Sequence, residues 1–222
     1  MTPTFAFFDL DHTLLTGDSD VLWCDWLMRL GLLDRASFEP LNAAMEAGYK
    51  AGTVSVQAFS SFYVGTLAGR TPAQWAPLRQ RFLDEEIVPR IPQAARAQVR
   101  QHQTAGHTVV LTTATNRVIT ELTARHLEIE HLIATECELG TDGAYTGRVL
   151  GLPNMREGKV THLRAWLDAR GLDLETIDST GYSDSMNDAP LLGAVRRAVA
   201  VDPDERLATL AAERGWEVLR WR

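Results

Sequence analysis

Cysteine is nearly absent from this chain. Cys24 and Cys137 are its two cysteines in 222 residues, far apart and without a Cys-x-x-Cys or Cys/His spacing. That pattern speaks against a zinc centre and reads as free thiols in a reducing cytosol. Basic charge is also short, with 22 Lys and Arg against 29 Asp and Glu, a net charge of -7 and a pI near 5.4. A nucleic-acid surface needs a basic face to displace counterions from phosphates, so that class of partner is excluded, although a single basic pocket remains open. The N-terminus has no basic leader and no small-residue cleavage site, and Asp9 and Asp11 interrupt its apolar stretch early, so no signal peptide is expected. No apolar run is long enough to span a bilayer, and a cytoplasmic protein without a membrane partner is expected. Internal repeats, low-complexity linkers and a His-Glu-x-x-His motif are missing as well, and the six histidines are scattered.

What is present is an ordinary soluble core, with 45% hydrophobic residues in a length that suits one large domain or a domain carrying an insertion. The chain begins Phe5-Ala6-Phe7-Phe8-Asp9-Leu10-Asp11-His12-Thr13, an apolar run that reads as a buried strand ending in two carboxylates. Open α/β sheets keep their sites where strands end. Grouped carboxylates repel, and a cation, a shared proton or environments that split their pKa values relieve them; an Asx-turn with both side chains solvated is the plain alternative.

From Thr13 the pattern turns helical. Val21, Leu22, Trp23, Trp26, Leu27 and Leu30 recur at helical spacing behind Asp18-Ser19-Asp20, which can cap the helix, and Gly31 can end it. Further helices are expected at 38–47 and 56–67, and Thr71-Pro72-Ala73-Gln74 combines a capping box with a first-turn proline. Pro89 and Pro92 close this region. From Gly106 strands and helices alternate, with strands expected at 108–111, 132–134, 177–182 and 198–201, a hairpin turn at Asp142-Gly143, and a last helix opened by Asp202-Pro203-Asp204-Glu205. The expected architecture is α/β: a three-layer, Rossmann-like core with a parallel sheet from residues 1–16 and 90–222, and a helical insertion at 17–89 acting as a lid over Asp9 and Asp11.

Three more constellations fall at strand ends or helix starts. Thr112-Thr113-Ala114-Thr115-Asn116 follows an apolar strand, where backbone amides and hydroxyls favour an anion or simply cap a helix. Lys159 sits at a helix start, unfavourably with the dipole unless an anion is near; a solvated surface lysine is the alternative. Ser183-Asp184-Ser185-Met186-Asn187-Asp188 again puts carboxylates after a strand; Asp184 and Asp188 would share a helical face, and one of them joining Asp9 would give the hard oxygen ligands that Mg²⁺ prefers.

Taken in order, Asp9-Leu10-Asp11-His12-Thr13, Thr113, Lys159 and Ser183-Asp184-Ser185-Met186-Asn187-Asp188 resemble the four motifs of the haloacid dehalogenase superfamily of phosphohydrolases, and the resemblance covers the whole core. The helical insertion is similar to the cap of the subgroup that includes phosphoserine and histidinol-phosphate phosphatases. The resemblance implies Asp9 as nucleophile, forming an aspartyl-phosphate, and Asp11 as the acid and base for the leaving alcohol and the attacking water. It implies Thr113 and Lys159 as holders of phosphoryl oxygens, and Mg²⁺ between Asp9, the Asp11 carbonyl and Asp184, with Asn187 and Asp188 in support and Asn187 also at the substrate. Ser183 stands where the family commonly has glycine, and Thr112 competes with Thr113 for the hydroxyl role. Asp18, nine residues after Asp9, falls where phosphoserine phosphatases bind the substrate's amino group, but 51–69 lacks the arginine that would take a carboxylate. A small phosphorylated amino alcohol, with histidinol phosphate ahead of phosphoserine, is the expected substrate. Phosphoryl transfer to another alcohol and a phosphorylatable receiver domain are the competing readings.

Overall fold

The computed structural model describes residues 3–221, without the side chain of Lys50. The first strand, β1 (Thr4–Phe8), is buried because helices cover both faces of the sheet around it. Alternation along β1 divides its side chains. Phe5 and Phe7 face Leu163, Leu167 and Leu191 on one side, while Phe8 stacks on Tyr182 at 4.3 Å and meets His102 at 5.7 Å on the other.

Between β1 and the next strand lie α1 (Ser19–Arg29), α2 (Arg35–Ala51), α3 (Val56–Gly65) and α4 (Pro72–Phe82), the expected helical insertion. Its Trp stripe is packing: the Trp23 ring lies 5.6 Å from Trp26, 5.3 Å from Trp75 and 5.0 Å from Phe82. Each indole N–H is satisfied, by Thr66, Glu85 and the Leu67 carbonyl respectively, as burial requires. The capping box at Thr71 forms as its sequence predicts. A π-turn at Leu83–Ile87 and a 3-10 turn at Val88–Arg90 lead to Pro92, the residue before α5 (Gln93–Thr104).

The remaining elements are β2 (Thr108–Asn116), α6 (Arg117–His126), β3 (His131–Leu139), β4 (Tyr145–Leu150), α7 (Glu157–Asp168), β5 (Asp178–Ser183), α8 (Ala189–Ala194), β6 (Arg197–Val201), α9 (Glu205–Arg214) and β7 (Glu217–Leu219). The sheet order is β4-β3-β2-β1-β5-β6-β7. Every pairing is parallel except β3 with β4, so the sheet is mixed and not wholly parallel. The Asp142-Gly143 turn is the cause, since a short turn can join only antiparallel neighbours. β2 also runs five residues beyond the expected Leu111, because its terminal threonines are buried in hydrogen bonds instead of being released into a loop. Both cysteines are free, and no helix among the described residues is long and apolar enough to cross a membrane.

Candidate active site

Asp9 directly follows β1, and its N–H still pairs with the Tyr182 carbonyl of β5 at 3.0 Å, so the strand ladder fixes the first carboxylate. The chain then folds back. His12 takes a positive φ of 55°, its N–H bonds the Gly17 carbonyl, and Thr13 N–H bonds the Leu10 carbonyl at 3.1 Å. That turn returns Thr13 to Asp9. The Thr13 hydroxyl accepts from Asp184 N–H at 3.0 Å and has its single proton within reach of Asp9 Oδ2 (3.2 Å) and Asp184 Oδ1 (3.1 Å).

On the other side of Asp9 stands Lys159, the third residue of α7 and only 2% exposed. Its Nζ donates to Asp9 Oδ1 at 2.6 Å and to Asp188 Oδ2 at 2.7 Å. Gly158 makes this placement possible: a Cβ there would come within 2.3 Å of the Pro153 carbonyl oxygen. Ser183 completes the group by donating its hydroxyl to Asp188 Oδ2 at 2.8 Å, a bond that glycine would not supply. Burial pulls the Lys159 ammonium down, but the Asp188 and Asp9 carboxylates outweigh it and hold the group well above the ordinary lysine range. Burial raises Asp9 to about 7 against the opposing pull of Lys159, with Asp188 and Asp11 adding to the rise. Burial, then Asp9 and Asp188, hold Asp184 well above its usual value. Asp184 and Asp188 therefore do not act as one helical face: Asp184 turns to Thr13 and Asp188 to Lys159.

Asp11 has a different environment. Its Oδ1 accepts Ser19 N–H of α1 at 2.7 Å, and its Oδ2 accepts the Thr115 hydroxyl at 2.8 Å and faces the Thr113 hydroxyl at 3.3 Å. Thr113 thus joins the cluster. Thr112 does not, because its hydroxyl accepts from Asn154 Nδ2 at 3.0 Å in a buried network that also ties the Thr113 and Ile133 carbonyls. Asn116, not Thr115, caps α6 through Ile119 N–H.

Asp18 caps α1, accepting from Asp20 and Val21 N–H on Oδ1. Burial, then the negative charges of Asp11 and Glu46, push the Asp18 carboxyl to about 8, although the two amide bonds oppose them. For Tyr49 of α2, burial, then the charges of Asp188, Asp9 and Asp184, hold the hydroxyl well above the ordinary tyrosine value. Its ring lies 4.7 Å from Phe59 of α3. Asn187 is engaged elsewhere, accepting from Arg156 Nε at 3.1 Å, and is not brought into the hydrogen-bonded set around Asp9.

No three acidic, His or Cys side chains among the described residues converge as a metal cage. Mg²⁺ does not need one, since it commonly takes one or two carboxylates and completes its octahedron with water and phosphate. Asp9 and Asp184 offer such oxygens on either side of Thr13, and burial first, then the neighbouring carboxylates, raises the pKa of both, a cost of charge that a divalent cation beside them would offset. The donor set fits the ion.

The sequence assigns no site role to Thr13, Thr115, Asp20 or Asn154, and marks Ser183 only as a departure from the family's glycine. Thr13 carried a signal, four residues after Asp9 and inside the quoted motif; the others become visible only when β2, β5 and α1 meet.

A family model described as haloacid dehalogenase-like hydrolase matches residues 6–193. A histidinol-phosphatase of Neisseria meningitidis is 39% identical over 218 residues, covering 98% of both chains. A phosphoserine phosphatase of Mycobacterium tuberculosis, SerB1, is 35% identical and shares 98% of this chain but 70% of its own. Among solved structures, a protein of unknown function from Bordetella pertussis is 41% identical, with a TM-score of 0.92 and 99% of each chain covered.

Proposed function

This chain belongs to the haloacid dehalogenase-like hydrolases, and from that premise we propose that it is a Mg²⁺-dependent phosphomonoesterase that acts through Asp9 on a small phosphorylated amino alcohol, histidinol phosphate first. The observation that carries the reading is the division of two carboxylates one residue apart: Asp9 is paired with the buried ammonium of Lys159, whereas Asp11 is turned onto an amide and two hydroxyls. Groups so separated suit a nucleophile and an acid/base.

In this reading Asp9 attacks phosphorus as the ester P–O bond breaks, and Asp11 gives its proton to the departing alcohol oxygen. Asp11 then takes a proton from water, which attacks the phosphorus of the aspartyl-phosphate, so that Asp9 is freed and inorganic phosphate leaves. Lys159 and the Thr113 hydroxyl hold phosphoryl oxygens during both steps. Mg²⁺, held by Asp9, Asp184 and the Asp11 carbonyl, would supply the positive charge that lets a carboxylate approach a phosphate dianion.

The substrate assignment rests on the insertion. The Asp18 carboxyl, on which the Glu46 charge acts, together with the paired Tyr49 and Phe59 rings of the insertion, suits a cationic, partly planar group. No Arg or Lys occurs at 51–69 to bind a carboxylate, and Arg70 lies over the Trp75 ring at 4.8 Å. The relative named histidinol-phosphatase, similar over its whole length, supports the same choice. The two free cysteines support a cytosolic setting. Phosphate release across histidinol phosphate, phosphoserine and phosphoethanolamine tests the proposal. At least about tenfold higher kcat/KM for histidinol phosphate than for phosphoserine is expected, since a carboxylate without a partner beside Asp18 loses about 1.4 kcal/mol or more. Equal or better turnover of phosphoserine overturns the substrate choice, and phosphate found only on an added acceptor alcohol overturns hydrolysis.

A further inference from the structure

Behind Asp11 lies a polar cluster that the chemistry above does not use. Thr115 Oγ1 touches three oxygens: Asp11 Oδ2 at 2.8 Å, Ser19 Oγ at 3.1 Å and Asp20 Oδ2 at 3.2 Å. Thr115 and Asp20 are each 2% exposed, and Asn116 Nδ2 approaches Asp20 Oδ1 only at 3.5 Å. A hydroxyl has one proton to give and two lone pairs to accept with. The shortest contact commits that proton to Asp11, which leaves Oγ1 to accept from the Ser19 hydroxyl and from a proton on Asp20. Were Asp20 ionised, two lone-pair-bearing oxygens would face each other without a proton between them; burial, then Asp18 and Asp11, hold its carboxyl well above the usual range.

Helix capping does not account for Asp20. Asp18 already caps α1, and a first-turn acid that served only the helix dipole would stay in solvent. We propose that Thr115, backed by Asp20, is a positioning residue that fixes the orientation of the Asp11 carboxyl for proton transfer. The arrangement matters most when substrate is bound. Thr113 accepts Thr115 N–H at 3.1 Å, so its own proton is directed either to Asp11 or to a phosphoryl oxygen. Once phosphate takes that proton, Thr115 and Ser19 N–H are what still hold Asp11. Because Ser19 and Asp20 belong to α1, the first helix of the insertion also sets the acid.

The inference rests on the phosphatase reading, and leaving-group dependence separates the two. Nitrophenolate departs without a proton, whereas an alkoxide needs one, and kcat/KM reports only the steps through formation of the aspartyl-phosphate. Thr115→Val should lower kcat/KM for histidinol phosphate about 10–100-fold and for p-nitrophenyl phosphate less than about threefold, with Thr115→Ser restoring the first. Asp20→Asn, whose amide can still donate to Thr115, should stay within about threefold of the parent on both esters, while Asp20→Leu should follow Thr115→Val. Measuring both esters on one preparation cancels any loss of folded protein. Equal losses on both esters in Thr115→Val, or an Asp20→Asn variant as impaired as Asp20→Leu, would overturn the inference and leave the phosphatase reading standing. A parent protein that releases phosphate from neither ester would overturn that reading instead.

Discussion

Replacing Lys159 by Met keeps a flexible stem of similar length and removes the ammonium. Two charge-assisted hydrogen bonds, at 2.6 and 2.7 Å, disappear, and Asp9 and Asp188 face each other beneath a side chain that was 2% exposed. Breaking a buried ion pair by deleting one partner costs about 3–5 kcal/mol, and the added apolar burial of Met offsets roughly 1–2 of that. A net loss near 3 kcal/mol at pH 8 corresponds to a fall in Tm of about 6–12 °C for a domain of this size. The loss depends on pH in a definite sense. In the variant, burial and Asp188 act on Asp9 without the opposing ammonium, so its pKa rises further above that of the unfolded chain. A carboxyl raised in this way favours folding below the unfolded pKa near 4 and loses that contribution as pH rises through the folded value. Lysine remains charged throughout, so the deficit relative to the parent grows from pH 5 to pH 8. Urea unfolding of both proteins at the two pH values, with EDTA present, measures it. A deficit below about 1 kcal/mol at pH 8, or one larger at pH 5, would refute the buried ion-pair account.

Three other consequences can be measured directly. Gly158→Ala puts a Cβ within 2.3 Å of the Pro153 carbonyl and moves the start of α7; a destabilisation of about 2 kcal/mol or more, with reduced phosphate release, is expected, and an unchanged melt with full activity would contradict the placement of Lys159. Thr113→Val should depress kcat/KM, whereas Thr112→Val should chiefly lower Tm by removing the buried bond between the Thr112 hydroxyl and Asn154 Nδ2, whose two protons keep the Thr113 and Ile133 carbonyls; the reverse pattern would exchange their roles. His102, bonded to Tyr182 at 2.8 Å, has its pKa lowered to about 4 by burial, then by His107 and Arg197. A histidine held neutral in this way contributes stability above its unfolded pKa near 6.5 and loses it as pH falls towards the folded value, by up to about 3 kcal/mol. His102→Gln should therefore unfold with a flatter dependence on pH between 7.5 and 4.5, and equal slopes would show that the imidazole is not what titrates.

The parts of the molecule legible in the sequence are those encoded by short-range pattern. The apolar run into Asp9 and Asp11, the Trp stripe of α1 and the capping box at Thr71 each carry a local signal, and each forms. Tertiary contacts decided the rest. Lys159 resembles a surface lysine at a helix start until α7 packs Gly158 against Pro153 and brings the ammonium between two carboxylates. Thr112, Thr113 and Thr115 are equivalent by composition; alternation along β2 sends the first to Asn154, while the other two reach Asp11. Asp20 reads as a capping acid because its true neighbours, Thr115 and Asn116, lie about a hundred residues away in the chain. The three-residue β7 at the sheet edge offers too short a pattern to be seen beforehand.

The claim on which everything else rests is that Asp9 carries the phosphoryl group. Rapid acid quench of the Mg²⁺-loaded protein during turnover of histidinol phosphate or p-nitrophenyl phosphate, followed by peptide mass spectrometry after borohydride reduction, tests it at the atom concerned. The account predicts homoserine in place of Asp9 in the peptide spanning β1, with Asp11 unmodified, and neither label nor multiple turnover in Asp9→Asn. Labelling at another residue, or sustained phosphate release by Asp9→Asn, would contradict it.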